Sequence, residues 1–228
     1  MLHGYLPAIL GGLGSTLLVA AVSLMLACLF GGLGAAAKLS DSRVLRVLAE
    51  VYTTLIRGLP ELVLLLLIFY GGQIGINALA DRFGWGYIDI DPFLAGTLTL
   101  GFIFGAYLTE TFRGAVLAIP RGQIEAGYAF GLSAPTVLRR IVLPQMVRHA
   151  IPGFANNWLV MVKATALISI IGLDDMVHRA NLASSATNKP FTFFAAIGLI
   201  YLAITTVSIL ALTALERRFS LGVRRAEL

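Results

Sequence analysis

Charge is scarce in this chain. Only 13% of its 228 residues are Asp, Glu, Lys or Arg, whereas 58% are hydrophobic and the mean hydropathy is +0.87. A soluble domain carries about 25% charged residues, so this composition excludes a disordered chain, a coiled coil and an ordinary water-soluble enzyme. Cysteine is nearly absent as well: Cys28 stands alone, which excludes a disulfide framework, and nothing near it has the spacing of a metal site. What remains is a protein that crosses a membrane several times.

Five stretches of the sequence are free of charge, or nearly so. They are Gly4–Ala37, Leu62–Ala80, Pro92–Thr109, Ala150–Leu173 and Phe191–Leu215. Each is long enough, or almost long enough, to cross a hydrocarbon core about 30 Å thick as a helix. The sequence therefore predicts an all-α membrane protein with about five transmembrane helices. We expect no cleaved signal peptide, because the charged n-region is missing and the first apolar run is too long.

The basic residues cluster in alternate connections between these stretches. The first inner group is Lys38, Arg43, Arg46 and Arg57; the second is Arg113, Arg121, Arg139, Arg140 and Arg148; the third, in the tail, is Arg217, Arg218, Arg224 and Arg225. The two connections between these groups are acidic or neutral. By the positive-inside rule, the N-terminus lies outside and the C-terminus inside. The same rule explains the excess of 17 basic over 12 acidic residues without nucleic-acid binding.

The connection between the third and fourth stretches, at about residues 115–149, is too long to be only a loop. Glu125 to Phe130 reads as a short helix, Gly131 can end it in a left-handed conformation, and Ser133 is a good N-cap for a second helix that we expect Pro144 to stop. This helix–glycine–helix elbow carries an apolar knob around Ala126, Tyr128 and Phe130. Two interpretations stay open on physical grounds: a knob that fits a groove on a soluble partner, and a helix that lies on the lipid surface.

The spacing within the elbow matches a known motif. Glu125-Ala126, then Gly131, then nine residues, then Ile141-x-Leu143-Pro144 resembles the EAA loop of ATP-binding-cassette (ABC) importer permeases, with Gly127 where Ala is usual. The similarity extends over nearly the whole chain to the polar amino-acid permeases. The matching segments are Arg57-Gly58-Leu59-Pro60, Ala106-Tyr107 through Glu110 to Arg113-Gly114, and the set Pro152, Asn156, Lys163, Thr165 and Leu167, with Ala166 where Ser is usual. Within that family the chain most resembles the Q-type subunits of histidine, lysine–arginine–ornithine and opine importers.

The resemblance implies a fold, partners and a coupling site. It implies a type I ABC importer permease fold over residues 1–228 as a single transmembrane domain in the bacterial inner membrane. It also implies two ATPase subunits, a second permease subunit that is more often a paralogue than an identical copy, and a periplasmic amino-acid-binding protein. The residues that would contact an ATPase are Glu125, Ala126, Tyr128, Phe130, Gly131, Ile141, Leu143 and Pro144. The chain lacks the G-x-x-x-x-G-K-[ST] phosphate loop, so we expect ATP and Mg²⁺ to be used by the partner and no cofactor to be bound here.

A few polar residues lie in or beside the apolar stretches. Charges there are costly and usually face a cavity or a partner. Glu61, Asn156, Asn157 and Lys163 are candidates to line a substrate pathway, although each could instead be structural, Glu61 by pairing with Arg57. Glu110 and Arg113, three residues apart, are expected to form a structural ion pair on one helix face. The three histidines have no ligand spacing, so no metal site is expected.

Together with the resemblance, these features predict the permease subunit of an ATP-driven importer for polar amino acids, and the resemblance implies cationic ones (histidine, arginine, lysine or ornithine) or related opines as the substrates. The alternative is a secondary amino-acid transporter powered by an ion gradient, which would need no elbow and would normally carry an intramembrane ion site. A membrane enzyme is a third class, but the sequence offers no catalytic constellation. The sequence does not specify which amino acid is carried.

Overall fold

The computed structural model describes residues 4–219, and within that range the regular structure is helical. Ten α-helices, two of them extended by short segments of tighter or wider helix, follow one another along the chain. They are α1 (Leu6–Gly11), α2 (Leu13–Leu39), α3 (Arg43–Gly58), α4 (Glu61–Arg82), α5 (Pro92–Leu117), α6 (Arg121–Ala129), α7 (Ala134–Val137), α8 (Leu143–Ala164), α9 (Met176–Thr187) and α10 (Pro190–Phe219). Arg224 and Arg225 of the predicted basic tail lie outside the described residues.

Within residues 4–219, five helical segments are long and apolar enough to cross a membrane. They are Leu6–Leu39, Glu61–Arg82, Pro92–Leu117, Ala134–Ile171 and Pro190–Arg218. The prediction of an all-helical protein with five spans is therefore confirmed. The first span joins α1 to α2. The fourth runs from α7 through a π-helical turn (Leu138–Val142) into α8 and ends in a 3₁₀ segment (Thr165–Ile171).

Helix α5 forms the centre of the bundle. Its side chains Leu100, Ile103, Phe104 and Leu108 are almost fully buried, and α2, α3, α4 and α8 pack around it. The glycine-rich side of α2 faces it directly. A β-carbon on Gly31 would lie 2.6 Å from the Cβ of Leu108, so these two helices approach too closely for any larger residue. The glycine-rich face of α2 therefore packs against α5 of the same chain.

Helix α3 was not predicted, because its four charges marked it as a basic connection. The structure shows an amphipathic helix that begins after Ser42 and buries Ala49, Thr53 and Ile56 against the bundle. The hydroxyl of Tyr52 donates a hydrogen bond to the carbonyl oxygen of Phe102 on α5, at 2.5 Å. The charged residues lie at helical spacing around the apolar ones, so they are compatible with a helix that lies beside the spans.

The expectation that Pro144 ends the second arm of the elbow was wrong. The arm continues through a π-helical turn at Leu138–Val142 directly into α8, in which Pro144 is the second residue. Proline is tolerated in the first turn of a helix, where the N–H that it lacks would have no intrahelical partner. The wider π-helical turn before it leaves room for the proline ring. The amide of Gln145 also donates to the carbonyl of Ile141, at 3.0 Å. As a result, the second arm of the elbow and the fourth span form one continuous helical segment. The arm is not a separate short helix that ends before the membrane.

Two short helices close the end of the bundle opposite the elbow. The guanidinium of Arg179 on α9 donates to Asp174, at 2.7 and 2.8 Å, and to the carbonyl oxygen of Ala8 on α1, at 3.0 Å. Asp175 caps the N-terminus of α9 by accepting from the backbone N–H of His178 at 2.8 Å. These contacts fasten the start of the first span to the segment that follows the fourth.

Candidate coupling elbow and transport pathway

The elbow has the glycine hinge that the sequence predicts. Helix α6 ends at Ala129, and Gly131 has a φ of +77°, a left-handed conformation in which a β-carbon is strained. The backbone N–H groups of Gly131 and Leu132 donate to the carbonyl oxygens of Tyr128 and Gly127, at 2.9 and 3.1 Å. These bonds satisfy the last carbonyls of α6 and fix the angle between the two arms.

The two arms pack on each other through a small apolar core of their own. Ile119, Val137 and Val142 are buried there, with Ile124, Leu132, Ile141 and Met146 around them. Gly127 is buried where the arms meet: its β-carbon would lie 2.6 Å from the Cδ1 of Ile141. The departure from the usual E-A-A pattern thus has a structural reason, because glycine lets the Ile141 side chain reach the first arm.

The outer side of the elbow presents large apolar side chains. Phe130 is 87% exposed and Tyr128 is 51% exposed, and Glu125 and Ala126 next to them are also exposed. Of the other predicted contact residues, Leu143 and Pro144 are exposed, whereas Ile141 is half-buried in the elbow's own core. An exposed phenylalanine at a helix end is costly in water, so this knob is expected to be covered in the working protein.

Two arginines on the second arm of the elbow have no charge partner in the part of the chain that the structure describes. Arg139 and Arg140 border a cavity of about 430 Å³ together with Pro135 and Thr136. Neither guanidinium forms an ion pair anywhere in residues 4–219. The elbow therefore offers an aromatic anchor on its first arm and unpaired positive charge on its second, and both residue types are enriched in protein interfaces.

A charged cluster ties three helices together at the elbow end of the bundle. Arg113 lies against Glu110, with nitrogen–oxygen distances of 2.8 and 3.0 Å, and the Lys38 ammonium bridges Glu110 and Glu50, with 2.7 Å to Glu50. The Lys38 side chain is only 6% exposed. The sequence indicated the Glu110–Arg113 pair but not the roles of Lys38 and Glu50. Lys38 was counted only as an orienting charge, although its place at the end of an apolar helix is a usual one for a lysine that reaches back to an acid.

Glu61 is the first residue of α4 and has no ion-pair partner in the part of the chain that the structure describes. Arg57 does not form the ion pair with Glu61 that the sequence left open as an alternative. Helix α3 ends at Gly58 and the chain is extended at Leu59 and Pro60, so positions 57 and 61 do not share a helix face. Arg57 instead lies over the ring of Tyr107, with its Cζ 5.6 Å from the ring centroid.

Helix α8 carries an exposed polar stripe along one side. His149, Asn156 and Lys163 follow each other at intervals of seven residues, and all three are exposed, whereas Ala150, Ile151, Met161 and Val162 on other sides are buried. Residues seven apart lie on nearly the same face of an α-helix. Lys163 has no ion-pair partner within residues 4–219. Polar groups exposed on a spanning helix are expected to face a water-filled cavity or another protein rather than lipid.

Asn157 differs from its neighbour. Its amide donates to the hydroxyl of Thr111 on α5, at 3.0 Å, and so it links two spans inside the bundle. Of the four predicted pathway residues, the structure leaves Asn156 and Lys163 exposed on one face, places Glu61 half-exposed at the start of α4, and uses Asn157 for helix packing.

Comparison with known proteins agrees with this architecture. Residues 27–221 match the family described as "Binding-protein-dependent transport system inner membrane component". The chain belongs to this family. It is therefore a multi-pass protein of the inner membrane and a component of a transport system, and the comparisons do not favour a secondary transporter or an enzyme.

Several relatives within and around this family are similar over most or all of the chain. The histidine/lysine/arginine/ornithine transport system permease protein HisQ of Salmonella typhimurium is 55% identical over 228 residues, which is all of both chains. The octopine transport system permease protein OccQ of Rhizobium radiobacter is 42% identical over 92% of this chain and 89% of its own. The arginine ABC transporter permease protein ArtQ of Haemophilus influenzae is 44% identical over 75% of both chains.

Solved structures share the fold. A chain of an amino acid ABC transporter crystallised with histidines superposes with a TM-score of 0.80 and 31% identity, covering 94% of this chain and 95% of that one. A chain of the MetNI methionine ABC transporter has a TM-score of 0.74 at 16% identity, covering 93% and 96%, and so supports the fold alone. The predicted importer-permease fold is thereby confirmed.

Proposed function

We propose that this chain is the permease subunit of an ATP-driven importer for polar, mainly cationic, amino acids. The observation that carries the proposal is the elbow: its first arm ends in an exposed aromatic knob, and its second arm is continuous with the fourth span. Full-length similarity to a histidine/lysine/arginine/ornithine permease supports the substrate class. ATP and Mg²⁺ are handled by a separate ATPase, and this chain binds no cofactor of its own.

The elbow suits a role in coupling because of how it is built. An ATPase that binds Phe130 and Tyr128 would move a compact unit with its own core, and this unit continues as helix from Ala134 to Ile171, with Pro152 inside it. Movement at the knob therefore reaches Asn156 and Lys163 as rotation or tilt of this helical segment. Two ATPase subunits are expected, one for each permease in a pair.

The proposed orientation puts the elbow in the cytoplasm and the helices α1 and α9 on the periplasmic side. The alternating loop charges support it, since the elbow segment holds the largest basic group in the sequence. A periplasmic binding protein would then deliver the amino acid to the surface formed by α1, α9 and the loop between α4 and α5.

The second permease subunit is expected to cover α4. This span buries few of its residues within the chain, and Gly71 and Gly75 have no atom near the place of a β-carbon, so another helix can approach closely. The partner is proposed to be a paralogue of this chain, and the substrate passes between the two. Glu61 on α4 and the stripe on α8 would line that passage.

The first experiment tests coupling. Phe130→Asp should abolish transport and co-purification with the ATPase, because a charge replaces the apolar anchor, whereas the protein should still insert and be extracted as a folded permease. Phe83→Asp is the matched control for insertion and ATPase co-purification, since Phe83 is 67% exposed at the opposite end of the bundle, away from the elbow. Normal uptake by the Phe130 variant would contradict the coupling role.

The second experiment tests the substrate class. Glu61→Gln removes a carboxylate while keeping its size, so uptake of arginine or lysine should fall more than uptake of a neutral amino acid. Asp41→Asn removes an exposed carboxylate near the same end of the bundle and should leave both unchanged. Equal loss for all substrates together with poor assembly would show that Glu61 is structural.

A further inference from the structure

An apolar groove lies between three of the spans near the elbow end of the bundle. It has a volume of about 360 Å³ and is lined by α5, α8 and α10 with apolar side chains throughout. Its floor includes Ala150 and Ile151, which are 4% and 6% exposed, and its rim includes Val147 and Leu215, which are both 40% exposed. The groove is therefore open on the outside of the bundle and closed beneath.

The groove faces away from the proposed substrate pathway. Phe154 of α8 lines it. At 3.6 residues per turn, Asn156 and Lys163 lie about 160° and about 180° around α8 from Phe154. The polar stripe and the apolar groove thus occupy opposite faces of the same helix. A substrate with charged groups would have no reason to enter the groove, since nothing polar lines it.

A free positive charge stands one turn beyond the groove. Arg218 follows Leu215 by three residues on α10, which puts both on the same side of that helix, and Arg218 lies at the end nearer the elbow. Within residues 4–219 its guanidinium has no ion-pair partner. An apolar groove at membrane depth, with an arginine one helical turn beyond it, matches an acyl chain attached to an anionic headgroup.

We propose that this groove is a binding site for an anionic phospholipid of the leaflet on the elbow side. One acyl chain lies over Ala150 and Ile151, between Val147 and Leu215, and the headgroup phosphate pairs with Arg218. A lipid held there contacts the part of the fourth span that lies next to the elbow's second arm. The assignment to the cytoplasmic leaflet rests on the orientation proposed above, whereas the site itself does not.

For the test, the purified transporter complex is reconstituted into nanodiscs made of equal amounts of phosphatidylglycerol and phosphatidylcholine. The complex is then released into detergent, and its bound lipids are identified by native mass spectrometry. The wild-type complex should retain phosphatidylglycerol. Leu215→Trp fills the rim of the groove and should lose this lipid, and so should Val147→Trp, which fills it from α8. Leu210→Trp is the control, because Leu210 is 67% exposed on the same helix but does not line the groove.

The headgroup contact is tested separately. Arg218→Gln should abolish the preference for phosphatidylglycerol over phosphatidylcholine, whereas Arg82→Gln, at the far end of α4, should keep it. Unchanged retention in both tryptophan variants would overturn the proposal, and so would an unchanged preference in Arg218→Gln. Loss of the second permease from the Leu215→Trp complex, with lipid retention unaffected, would show that a protein covers the groove. Co-purification of the ATPase is measured in parallel, so that failure of the permease assignment is distinguishable from failure of the lipid site.

Discussion

The geometry of the cluster formed by Lys38, Glu50, Glu110 and Arg113 predicts that removing the Glu110 carboxylate costs more stability than removing the Lys38 ammonium. The Lys38 ammonium is 6% exposed and touches both carboxylates, while Glu110 is 20% exposed and also holds Arg113. Glu50 is 68% exposed and well solvated. Removal of Glu110 therefore leaves the buried Lys38 ammonium with only the solvated Glu50 carboxylate as a partner, whereas removal of Lys38 leaves each carboxylate with either an arginine or water.

The magnitudes follow from this geometry. Removing one partner of a buried ion pair costs about 3–5 kcal/mol, and we expect about 2–3 kcal/mol for Glu110→Gln because Glu50 still contacts Lys38 and water reaches Arg113. Replacing a buried charge with an apolar side chain of similar volume is often nearly neutral, so Lys38→Met should cost about 1 kcal/mol or less. The double variant should lie close to Lys38→Met alone, since no buried cation is left.

The assay is equilibrium unfolding of the purified permease by sodium dodecyl sulfate in mixed micelles, monitored by circular dichroism, on the wild type, both single variants and the double variant. The expected coupling free energy between Lys38 and Glu110 exceeds about 1.5 kcal/mol. Asp41→Asn, with an exposed carboxylate, is the control for general charge effects. Additive effects, or a larger cost for Lys38→Met than for Glu110→Gln, would refute the reasoning.

Three further predictions concern other parts of the chain. Gly131→Val should cost about 1–2 kcal/mol and abolish uptake and ATPase co-purification, because a left-handed residue acquires a β-carbon; Gly122→Val, on the exposed side of α6, should retain both. Burial raises the pKa of Asp175, so ionisation of this carboxyl destabilises the fold as pH rises from the unfolded value of about 3.9 through the raised folded value. Asp175→Asn, which keeps the cap, should therefore gain stability over the wild type in thermal melts as pH rises through this window, and the difference should stay constant above it. In a background without native cysteine, Asp89→Cys and Ser133→Cys should react with an impermeant maleimide from opposite sides of the membrane, and reaction from the same side would contradict the orientation.

The spans were predictable because lipid leaves few choices. A chain that crosses a bilayer must satisfy its backbone hydrogen bonds internally, so a long uncharged stretch is a helix. The elbow was predictable for a different reason, since Gly131 and the residues around it fit one local conformation and one motif spacing. Both depend on residues near each other in the sequence.

The missed features depend on contacts between distant residues. Helix α3 was hidden because its charges describe a loop equally well until Ala49 and Ile56 are seen to be buried. Pro144 is an ordinary stop signal, and only the π-turn before it makes it the start of a long helix. Lys38 and Glu110 are 72 positions apart, so no spacing rule joins them.

The residues predicted to line a substrate pathway lie on surfaces that the single chain leaves open. The polar stripe of α8 and the acidic start of α4 are both exposed, and no ion pair within residues 4–219 engages Glu61 or Lys163. Unpaired charge on spanning helices is costly against lipid, so these surfaces are incomplete until something else covers them or water fills the space between. A second permease that packs along α4 would enclose a water-filled space between these surfaces. The apolar groove lies on the opposite face of α8. If the proposed pathway, lipid site and coupling role hold, this one helix would separate the charged solute from the lipid, and the ATPase would move it through the elbow.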